Sequence, residues 1–260
     1  MTHIASPQNP RLKALRRLQT KRERERSGRF LVEGEDLIAA AARAGRRTLE
    51  GYRVAGTDIG GEEFVDVEPQ ALAAVSTLGS GTRVIGVYEQ RWEPRPQGPL
   101  CLYLHGVKDP GNVGTALRSA QAFGASCVAL GPGCADPHSP KAVRASMGAI
   151  FAVAVARVSD VGELPGERIA LVADAEEILR GPGEGTRGDG GAEEGAGLVS
   201  ATGTVTLLVG AEREGLPEEV VAACERAARI AIESQSLNAA MAATVALYEM
   251  TRRPSRVTAS

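Results

Sequence analysis

The sequence predicts an α/β fold in two parts, a small α/β domain at the amino end and a larger domain built on a mostly parallel sheet. From residue 100 onward, continuous apolar runs alternate with helical stretches, which is typical of parallel strands buried on both faces. Three prolines within residues 91–99 interrupt the pattern and suit a linker. Because 260 residues can form two hydrophobic cores, we expect one domain with its linker over residues 1–97 and a second over residues 98–260.

The first part begins with leucines at helical spacing. Leu12, Leu15 and Leu18, with basic residues between them, predict an amphipathic helix over residues 9–26. A short strand is expected next, followed by a helix that Gly45 stops. The elements predicted after the first helix span residues 29–32, 33–44, 52–54, 69–78 and 83–88.

The second part contains six apolar runs that read as strands: CLYLHGV, CVALG, AIFAVAV, RIALVAD, TVTLLVG and ARIAI. Helices are predicted between and after them, over residues 114–123, 141–146, 218–227 and 237–253. Ligands of parallel α/β sheets bind beyond the carboxyl ends of the strands. The glycine-rich turns of this sequence follow the predicted strands, so we expect the active site at that edge.

Residues 181–203 form a stretch that is rich in glycine and too polar to offset the entropy of ordering it. We interpret it as a flexible surface insertion. A phosphate-binding loop is the alternative, but the stretch contains neither a GxxxxGK[ST] nor a GxGxxG register.

Charge is distributed unevenly along the chain, although the formal net charge is only -2. Residues 11–29 carry nine basic side chains against two acidic ones, a density that can neutralise phosphates. A solvated helix face with Glu/Arg pairs would give the same pattern. The candidate RNA contacts are Arg11, Lys13, Arg16, Arg17, Lys21 and Arg22.

The remaining composition indicates an ordinary intracellular protein. Hydrophobic residues at 43% and charged residues at 24% exclude a fibrous repeat and a wholly disordered chain. There is no apolar signal core or membrane-spanning run, so a cytoplasmic location is expected. Neither CxxC nor HExxH spacing occurs, so we expect reduced thiols and no metal. The residues concerned are Cys101, Cys127, Cys134, Cys224, His3, His105 and His138.

Three segments stand at predicted strand-to-helix junctions. They are DPGNVGTALRSAQAFGA at 109–125, LLVGAEREGLP at 207–217 and IAIESQSLNAAMAATVALYE at 230–249. In this order and spacing they closely resemble the SpoU/TrmH family of RNA methyltransferases. SPKAVRASMGAIF at 139–151 and the amino-terminal ASPQNPRLKAL and RFLVEG are similar to that family too. The resemblance covers nearly the whole chain except the glycine-rich insertion.

In the first segment, Val113, Leu117 and Ala120 form a buried stripe at positions i, i+4 and i+7 of a helix. Arg118 lies off that stripe, and Asn112 is predicted at the helix N-cap. Without further context these two residues read as a surface arginine and a plain cap. The resemblance implies instead that Arg118 is the essential arginine of the family and that Asn112 belongs to the site.

In the second segment, Gly210 ends an apolar strand, where a missing Cβ allows the backbone to approach a ligand closely. Glu212 follows in a turn, which by itself reads as an ordinary strand-to-helix connection. The resemblance implies a contact with the methionine part of the methyl donor at Gly210 and a site carboxylate at Glu212. Arg213 departs from the family pattern, because a small residue is usual there.

In the third segment, Ser236 is predicted to cap a helix that has Asn238 in its first turn. The resemblance implies that backbone groups at Ile230 and Leu237 hold the adenosyl part of S-adenosylmethionine. It also places Ser236 and Asn238 in the catalytic pocket. The sequence departs from the family in having Ala231 for a usual proline and in a shorter loop before the helix.

The resemblance implies S-adenosylmethionine-dependent methylation of a ribose 2'-hydroxyl in RNA, an acceptor that DNA lacks. It further implies a trefoil-knotted catalytic domain, an amino-terminal domain like a ribosomal protein, and a homodimer formed through the catalytic domain. Such amino-terminal domains favour ribosomal RNA, with tRNA as the alternative. A non-catalytic RNA-binding or ribosome-assembly protein is also conceivable because of the altered third segment. A Rossmann oxidoreductase lacks its glycine fingerprint here.

The expected chemistry requires no metal, because a sulfonium methyl group is already a strong electrophile. The protein must mainly align that methyl group with the ribose oxygen and stabilise the developing alkoxide charge. Arginine stays protonated in nearly every protein site. We therefore expect Arg118 to act by electrostatic activation and phosphate anchoring rather than as a general base.

Overall fold

A computed structural model describes residues 3–61, 63–78, 81–181, 203–233 and 236–252. Nearly all of the predicted glycine-rich insertion, residues 182–202, therefore lies outside the described residues. The chain divides into two compact units, each drawn from three stretches of sequence. Unit 1 comprises Met1–Arg91, Asp109–Arg118 and Ala135–Ala152. Unit 2 comprises Trp92–Lys108, Ser119–Cys134 and Val153–Ser260.

Unit 1 contains a five-stranded mixed sheet in the order β1-β4-β3-β5-β2. Strand β4 pairs in parallel with β1 and β3, whereas β5 pairs antiparallel with β3 and β2. The strands are β1 His3–Ile4, β2 Arg29–Glu33, β3 Glu50–Val54, β4 Phe64–Val67 and β5 Val84–Glu89. Strands β1 and β4 were not predicted, since neither has a long apolar run.

The basic segment of unit 1 forms two helices, α1 Pro10–Arg17 and α2 Lys21–Ser27, so the prediction of one helix over residues 9–26 is wrong. Thr20 starts α2, because its hydroxyl accepts a hydrogen bond from the Glu23 amide. The apolar face of α1 is nonetheless as predicted, with Leu12 and Leu15 buried in the core. The other helices before the linker are α3 Glu35–Arg43 and α4 Pro69–Ala73.

Unit 1 also includes the first part of α5 Pro110–Ala122, together with α6 Pro140–Ala145 and α7 Ala149–Ala152. Helices α5 and α6 touch at Gly114, where a Cβ atom would lie only 2.3 Å from the Ala142 carbonyl oxygen. The sequence predicts one strand for the run AIFAVAV, but its first half is α7. This helix follows Gly148, whose φ of +94° breaks the chain direction.

Unit 2 is built on a seven-stranded sheet in the order β10-β12-β9-β11-β6-β7-β8, and all its pairings are parallel. This confirms the predicted α/β class with a mostly parallel sheet. Strand β11 lies between β9 and β6, so a central strand of the sheet comes from a late part of the sequence. The strands are β6 Leu100–Leu104, β7 Cys127–Leu130, β8 Ala154–Arg157, β9 Glu167–Leu171, β10 Glu177–Ile178, β11 Val205–Val209 and β12 Arg226–Arg229.

In the described part of unit 2 the α-helices are the second part of α5, α8 Glu218–Ala222 and α9 Ala239–Thr251, and a short 3-10 helix spans Val161–Glu163. Helix α8 is shorter than predicted, because the chain enters β12 at Arg226, ahead of the expected ARIAI run. None of the helices in the described part of the chain combines the length and apolar character needed to cross a bilayer.

Candidate active site

A cavity of about 430 Å³ lies at the carboxyl edge of the unit 2 sheet. Its walls come from the turns after β9, β11 and β12 and from the start of α9, which packs on β11. Because β12, β9 and β11 are neighbours in the sheet, three connections that are distant in sequence meet here. Five predicted site residues line this cavity: Gly210, Glu212, Ile230, Ser236 and Leu237.

The turn after β11 folds back tightly on itself. The Gly215 amide donates to the Ala211 carbonyl at 2.9 Å, and Gly215 has a φ of +68°. A Cβ atom at Gly210 would lie 2.1 Å from the Gly215 carbonyl carbon. The returning chain by itself therefore requires a glycine at position 210, and the close approach of a ligand to its backbone stays a prediction. Gly210 still lines the cavity through its backbone.

Charged side chains lie on the outer part of this turn. Glu212, Arg213 and Glu214 are all exposed, and all three line the cavity. The Lys108 ammonium, which follows β6, lies 3.2 Å from the Glu214 carboxylate. The turn thus presents carboxylates and cations side by side in the lining of the cavity.

The third segment is capped differently from the prediction. Asn238, not Ser236, is the N-cap of α9, and its side-chain oxygen accepts from the Ala240 amide at 2.9 Å and the Met241 amide at 3.4 Å. An N-cap accepts from amides two and three positions on, which Ser236 is too far upstream to reach. Ser236 is exposed and lines the cavity, whereas Asn238 is not one of its lining residues.

Sequence analysis missed one wall of the cavity. Val172, Ala173 and Asp174 follow β9, and Arg229 ends β12. RIALVAD was predicted as a strand, and its position beside two glycine-rich turns in a parallel sheet could have indicated that its carboxyl end belongs to the site. The strand order needed for that step is not readable from one sequence.

Asp109 precedes helix α5 and caps it, so the prediction of Asn112 as its N-cap is wrong. The Asp109 carboxylate accepts from the Asn112 amide at 3.0 Å, and Pro110 takes the first helical position, which it favours. A hydrogen bond from Lys141, at 2.6 Å, lowers the pKa of Asp109 below its usual value. Asn112 is therefore the third residue of the helix.

The burial of α5 follows the predicted stripe. Val113, Leu117 and Ala120 are fully buried, and Arg118 is exposed. Asn112 and Arg118 belong to unit 1 and are not among the residues that line the unit 2 cavity. Their participation in a common site stays a prediction.

The candidate RNA contacts on α1 and α2 are mostly available to solvent. Arg16 is the partial exception, because its Nε donates to the Ala74 carbonyl at 3.1 Å and it is half-buried. Among neighbouring cations, Lys21 lies 3.8 Å from Glu25, and Arg24 is buried. The exposed members are Arg11, Lys13, Arg17, Lys21 and Arg22.

The four cysteines are free thiols. Burial raises the pKa of Cys101 to about 12 and that of Cys127 to about 11, so both are protonated at neutral pH. Within the described ranges of the chain, no group of three or more His, Cys, Asp or Glu side chains is arranged to hold a metal ion.

A parallel sheet with a cavity of this size at its carboxyl edge is typical of α/β proteins that bind a small ligand at the ends of their strands. Comparison with known families makes the class specific. Residues 99–248 match the SpoU rRNA Methylase family, and the chain belongs to that family. Residues 9–87 match the MRM3-like substrate binding domain.

Individual relatives extend over nearly the whole chain. The 23S rRNA (guanosine(2553)-2'-O)-methyltransferase RlmP of Bacillus subtilis is 27% identical, covering 96% of this chain and 99% of its own. The 23S rRNA (uridine(2479)-2'-O)-methyltransferase of Streptomyces viridochromogenes is 29% identical, over 91% and 87%. The AdoMet-bound rRNA methyltransferase from Sinorhizobium meliloti has a TM-score of 0.77 at 29% identity, over 95% and 96% of the two chains.

Proposed function

We propose that this protein transfers the methyl group of S-adenosylmethionine to a ribose 2'-hydroxyl of ribosomal RNA. The observation that carries the proposal is the single cavity into which three strand-end turns bring Gly210, Glu212, Ile230, Ser236 and Leu237. Two relatives of nearly the same length are 23S rRNA ribose methyltransferases by name, one acting on a guanosine and the other on a uridine. The base modified by this chain is therefore left open.

The cavity suits S-adenosylmethionine in size and chemistry. Its volume of about 430 Å³ falls within the range of ordinary ligand pockets. Apolar side chains such as Leu171, Ile230 and Leu237 fit an adenine ring, and the Glu212 and Asp174 carboxylates suit an ammonium group or ribose hydroxyls. When bound, this cofactor supplies an electrophilic sulfonium methyl group.

The residues divide into binding and orienting roles. Gly210, Ile230 and Leu237 hold the cofactor through backbone groups, while Glu212 and Ser236 orient polar atoms at the cavity mouth. Asn238 supports this wall, because it fixes the start of α9. Alignment of the reacting atoms supplies a large part of the catalytic effect in transfers of this kind.

Arg118 and Asn112 act on the RNA. The Arg118 guanidinium stabilises negative charge on a backbone phosphate, or on the ribose oxygen as that oxygen takes the methyl group and gives its proton to solvent water. Its exposed position on α5 allows contact with a ligand. Arg118→Lys retains the charge but loses the planar fork, so nearly full activity of that variant would contradict a bidentate contact.

The two parts of the chain divide the labour. Residues 1–97 bind RNA, chiefly through Arg11, Lys13, Arg17, Lys21 and Arg22, and residues 98–260 carry the transfer. The match of residues 9–87 to a substrate-binding domain supports this division and favours a ribosomal over a transfer RNA substrate. We expect the protein to work in the cytoplasm.

The catalytic part forms a homodimer in this proposal, and we expect the trefoil knot of the family around the cofactor cavity. Met241 and Tyr248 support dimerisation, since they lie two turns apart on α9 and are 57% and 51% exposed. The Phe123 ring extends this apolar face, with its centroid 6.1 Å from that of Tyr248. Light scattering on the full chain tests the dimer, and replacing Tyr248 by lysine is expected to weaken it.

The decisive experiment is a transfer assay with labelled S-adenosylmethionine on total RNA, followed by mapping of the labelled nucleotides. We expect label on a ribose of ribosomal RNA. Label on a base would contradict the reaction type, and label only on transfer RNA would contradict the substrate. Calorimetry with S-adenosylmethionine separates an enzyme from a pure RNA-binding protein, which should give no saturable heat.

A further inference from the structure

One arginine of the basic segment points inward instead of toward solvent. Arg24, on α2, is 3% exposed, and its Nε and Nη2 atoms both lie 2.8 Å from the Asp136 carboxylate. Its remaining nitrogen, Nη1, donates to the Leu18 carbonyl at 2.9 Å and the Gln19 carbonyl at 2.7 Å. Each of the three guanidinium nitrogens contacts a protein group, so Arg24 is not an RNA contact despite its place in the basic run.

The other end of this ion pair is equally fixed. The Asp136 side chain is 6% exposed and accepts from the His138 amide at 2.9 Å. Burial acts to raise the pKa of Asp136, but hydrogen bonds from His138 and the Arg24 charge outweigh it and hold the pKa well below its usual range. The His138 ring packs against Phe30 of β2, with centroids 4.8 Å apart.

A second polar contact joins the same sheet to α6. The buried Glu33 carboxylate, at the end of β2, accepts from the Thr77 amide at 3.1 Å and from the Thr77 hydroxyl at 2.7 Å. The Thr77 hydroxyl in turn accepts from Nη1 of Arg144 at 2.7 Å. Arg144 lies on α6, so the Thr77 hydroxyl links β2 to that helix.

Helix α6 then holds the start of α5. The Lys141 ammonium lies 2.6 Å from the Asp109 carboxylate that caps α5, and Gly114 packs directly against the α6 backbone. Arg118 follows Gly114 by about one helical turn. A continuous set of contacts inside unit 1 thus runs from the RNA-binding helices to the helix that carries Arg118.

We propose that Arg24, Asp136 and Arg144 are positioning residues that hold the RNA-binding helices and the Arg118 helix as one body. RNA held by α1 and α2 is then presented to Arg118 at a fixed distance and orientation. This inference rests on the proposed function and adds that substrate binding and substrate positioning depend on different arginines of the same region.

The first test separates positioning from binding with Arg144→Met in the full-length protein. We expect the Kd values for ribosomal RNA and S-adenosylmethionine to stay within about twofold, while kcat falls by about tenfold or more, because a small displacement of a catalytic group is costly. Arg144→Lys is expected to recover part of kcat. The matched control is Arg83→Met, which removes an exposed ion pair with Glu35 in the same unit and should leave kcat unchanged.

A purely structural role gives a different result. In that case Arg144→Met lowers the folded fraction, and kcat per folded molecule equals that of the wild type, which would overturn the proposal. Failure of the proposed function is distinct, since it appears as absence of methyl transfer by the wild-type protein itself.

The second test needs no catalysis and compares two neighbouring arginines of α2. Arg22 is exposed, so Arg22→Ala should remove about one phosphate contact. The slope of log affinity for RNA against log salt concentration should become less steep by the amount that corresponds to one contact. Arg24→Met should leave that slope unchanged in the folded fraction. An equal reduction for both variants would show that Arg24 contacts RNA and would contradict its assignment to positioning.

Discussion

The two units bury different kinds of polar group. In unit 1 the buried polar residues include the charged Arg24 and Glu33, at 3% and 5% exposure. In the described part of unit 2 they are the hydroxyls of Ser119 and Thr206, each bonded to a neighbouring oxygen. The proposed cofactor cavity of unit 2 is formed instead by tight backbone turns, and the charged lining residues of the turn after β11 are exposed.

This difference indicates what each unit should tolerate. A buried charge is costly once its partner is removed, so unit 1 should be sensitive to loss of charge. A tight backbone turn has no room for added atoms, so the unit 2 site should be sensitive to added volume. Variants in each unit test this contrast.

The largest expected effect is on unit 1. Arg24→Met leaves the buried Asp136 carboxylate without its main charged partner, and we expect the free energy of unfolding to fall by about 3–5 kcal/mol. Urea titration measures this loss. The double variant Arg24→Met, Asp136→Leu removes both charges and should recover a large part of it. A double variant as unstable as the single one would show that packing, not charge, dominates there.

The next effect concerns volume in unit 2. Gly210→Ala forces a Cβ atom into the Gly215 backbone, so the turn must open and affinity for S-adenosylmethionine should fall about 100-fold, or roughly 2.7 kcal/mol. Calorimetry measures the change. Gly124→Ala is the control, because that position has open space but a φ of +70°. It should cost about 1 kcal/mol of stability with unchanged affinity.

A smaller effect distinguishes the two candidate caps of α9. Asn238→Ala should destabilise the protein by about 1 kcal/mol, since the Ala240 and Met241 amides lose their acceptor. Ser236→Ala leaves that cap in place and should cost less. Thermal unfolding of both variants provides the comparison. A larger loss of stability for Ser236→Ala than for Asn238→Ala would instead support Ser236 as the cap, as the sequence predicts.

The smallest effect depends on pH. A hydrogen bond from Arg168 lowers the pKa of Glu225 to about 2 from 4.5. The folded state therefore gains stability from this carboxylate above pH 4.5, and the gain disappears as the pH falls toward 2. The pair is partly exposed, so the gain should stay below about 1 kcal/mol.

Urea titrations of Glu225→Gln and the wild type at several pH values test this. The difference between them should be largest near neutral pH and should shrink on acidification. Glu176→Gln, at an exposed position, serves as the control. A difference that is independent of pH would exclude ionisation of Glu225 as its source.

Much of the fold was predictable from the sequence because buried parallel strands have continuous apolar runs. The strands at β6, β7, β9 and β11 were located in this way, and the buried stripe of α5 followed from helical spacing. The short strands β1, β4 and β10 were missed, since a strand of two to four residues leaves no periodic pattern.

The helix starts were less predictable, because several residues near each start can act as caps. Asp109 and Asn112 are both suitable by type, and so are Ser236 and Asn238. Only the backbone geometry determines which side chain reaches the free amides. The two errors therefore have one cause.

The buried pair was beyond the reach of sequence patterns. Arg24 and Asp136 are 112 residues apart, and Arg24 stands among eight other cations whose density indicates either phosphate contacts or a solvated helix face. The wall of the cavity after β9 was missed for a similar reason, since it depends on β11 lying between β9 and β6.

Unit 1 is formed by three separate stretches of sequence, and this limits where the chain can be truncated. Deleting residues 1–97 would remove Phe30 of β2 from the His138 and Phe151 rings, leaving them exposed, and would take Arg24 away from the Asp136 carboxylate. A shortened chain would need new surface chemistry at those positions to remain soluble. Loss or exchange of residues 1–97 during evolution thus demands coordinated substitutions in the segment Ala135–Ala152.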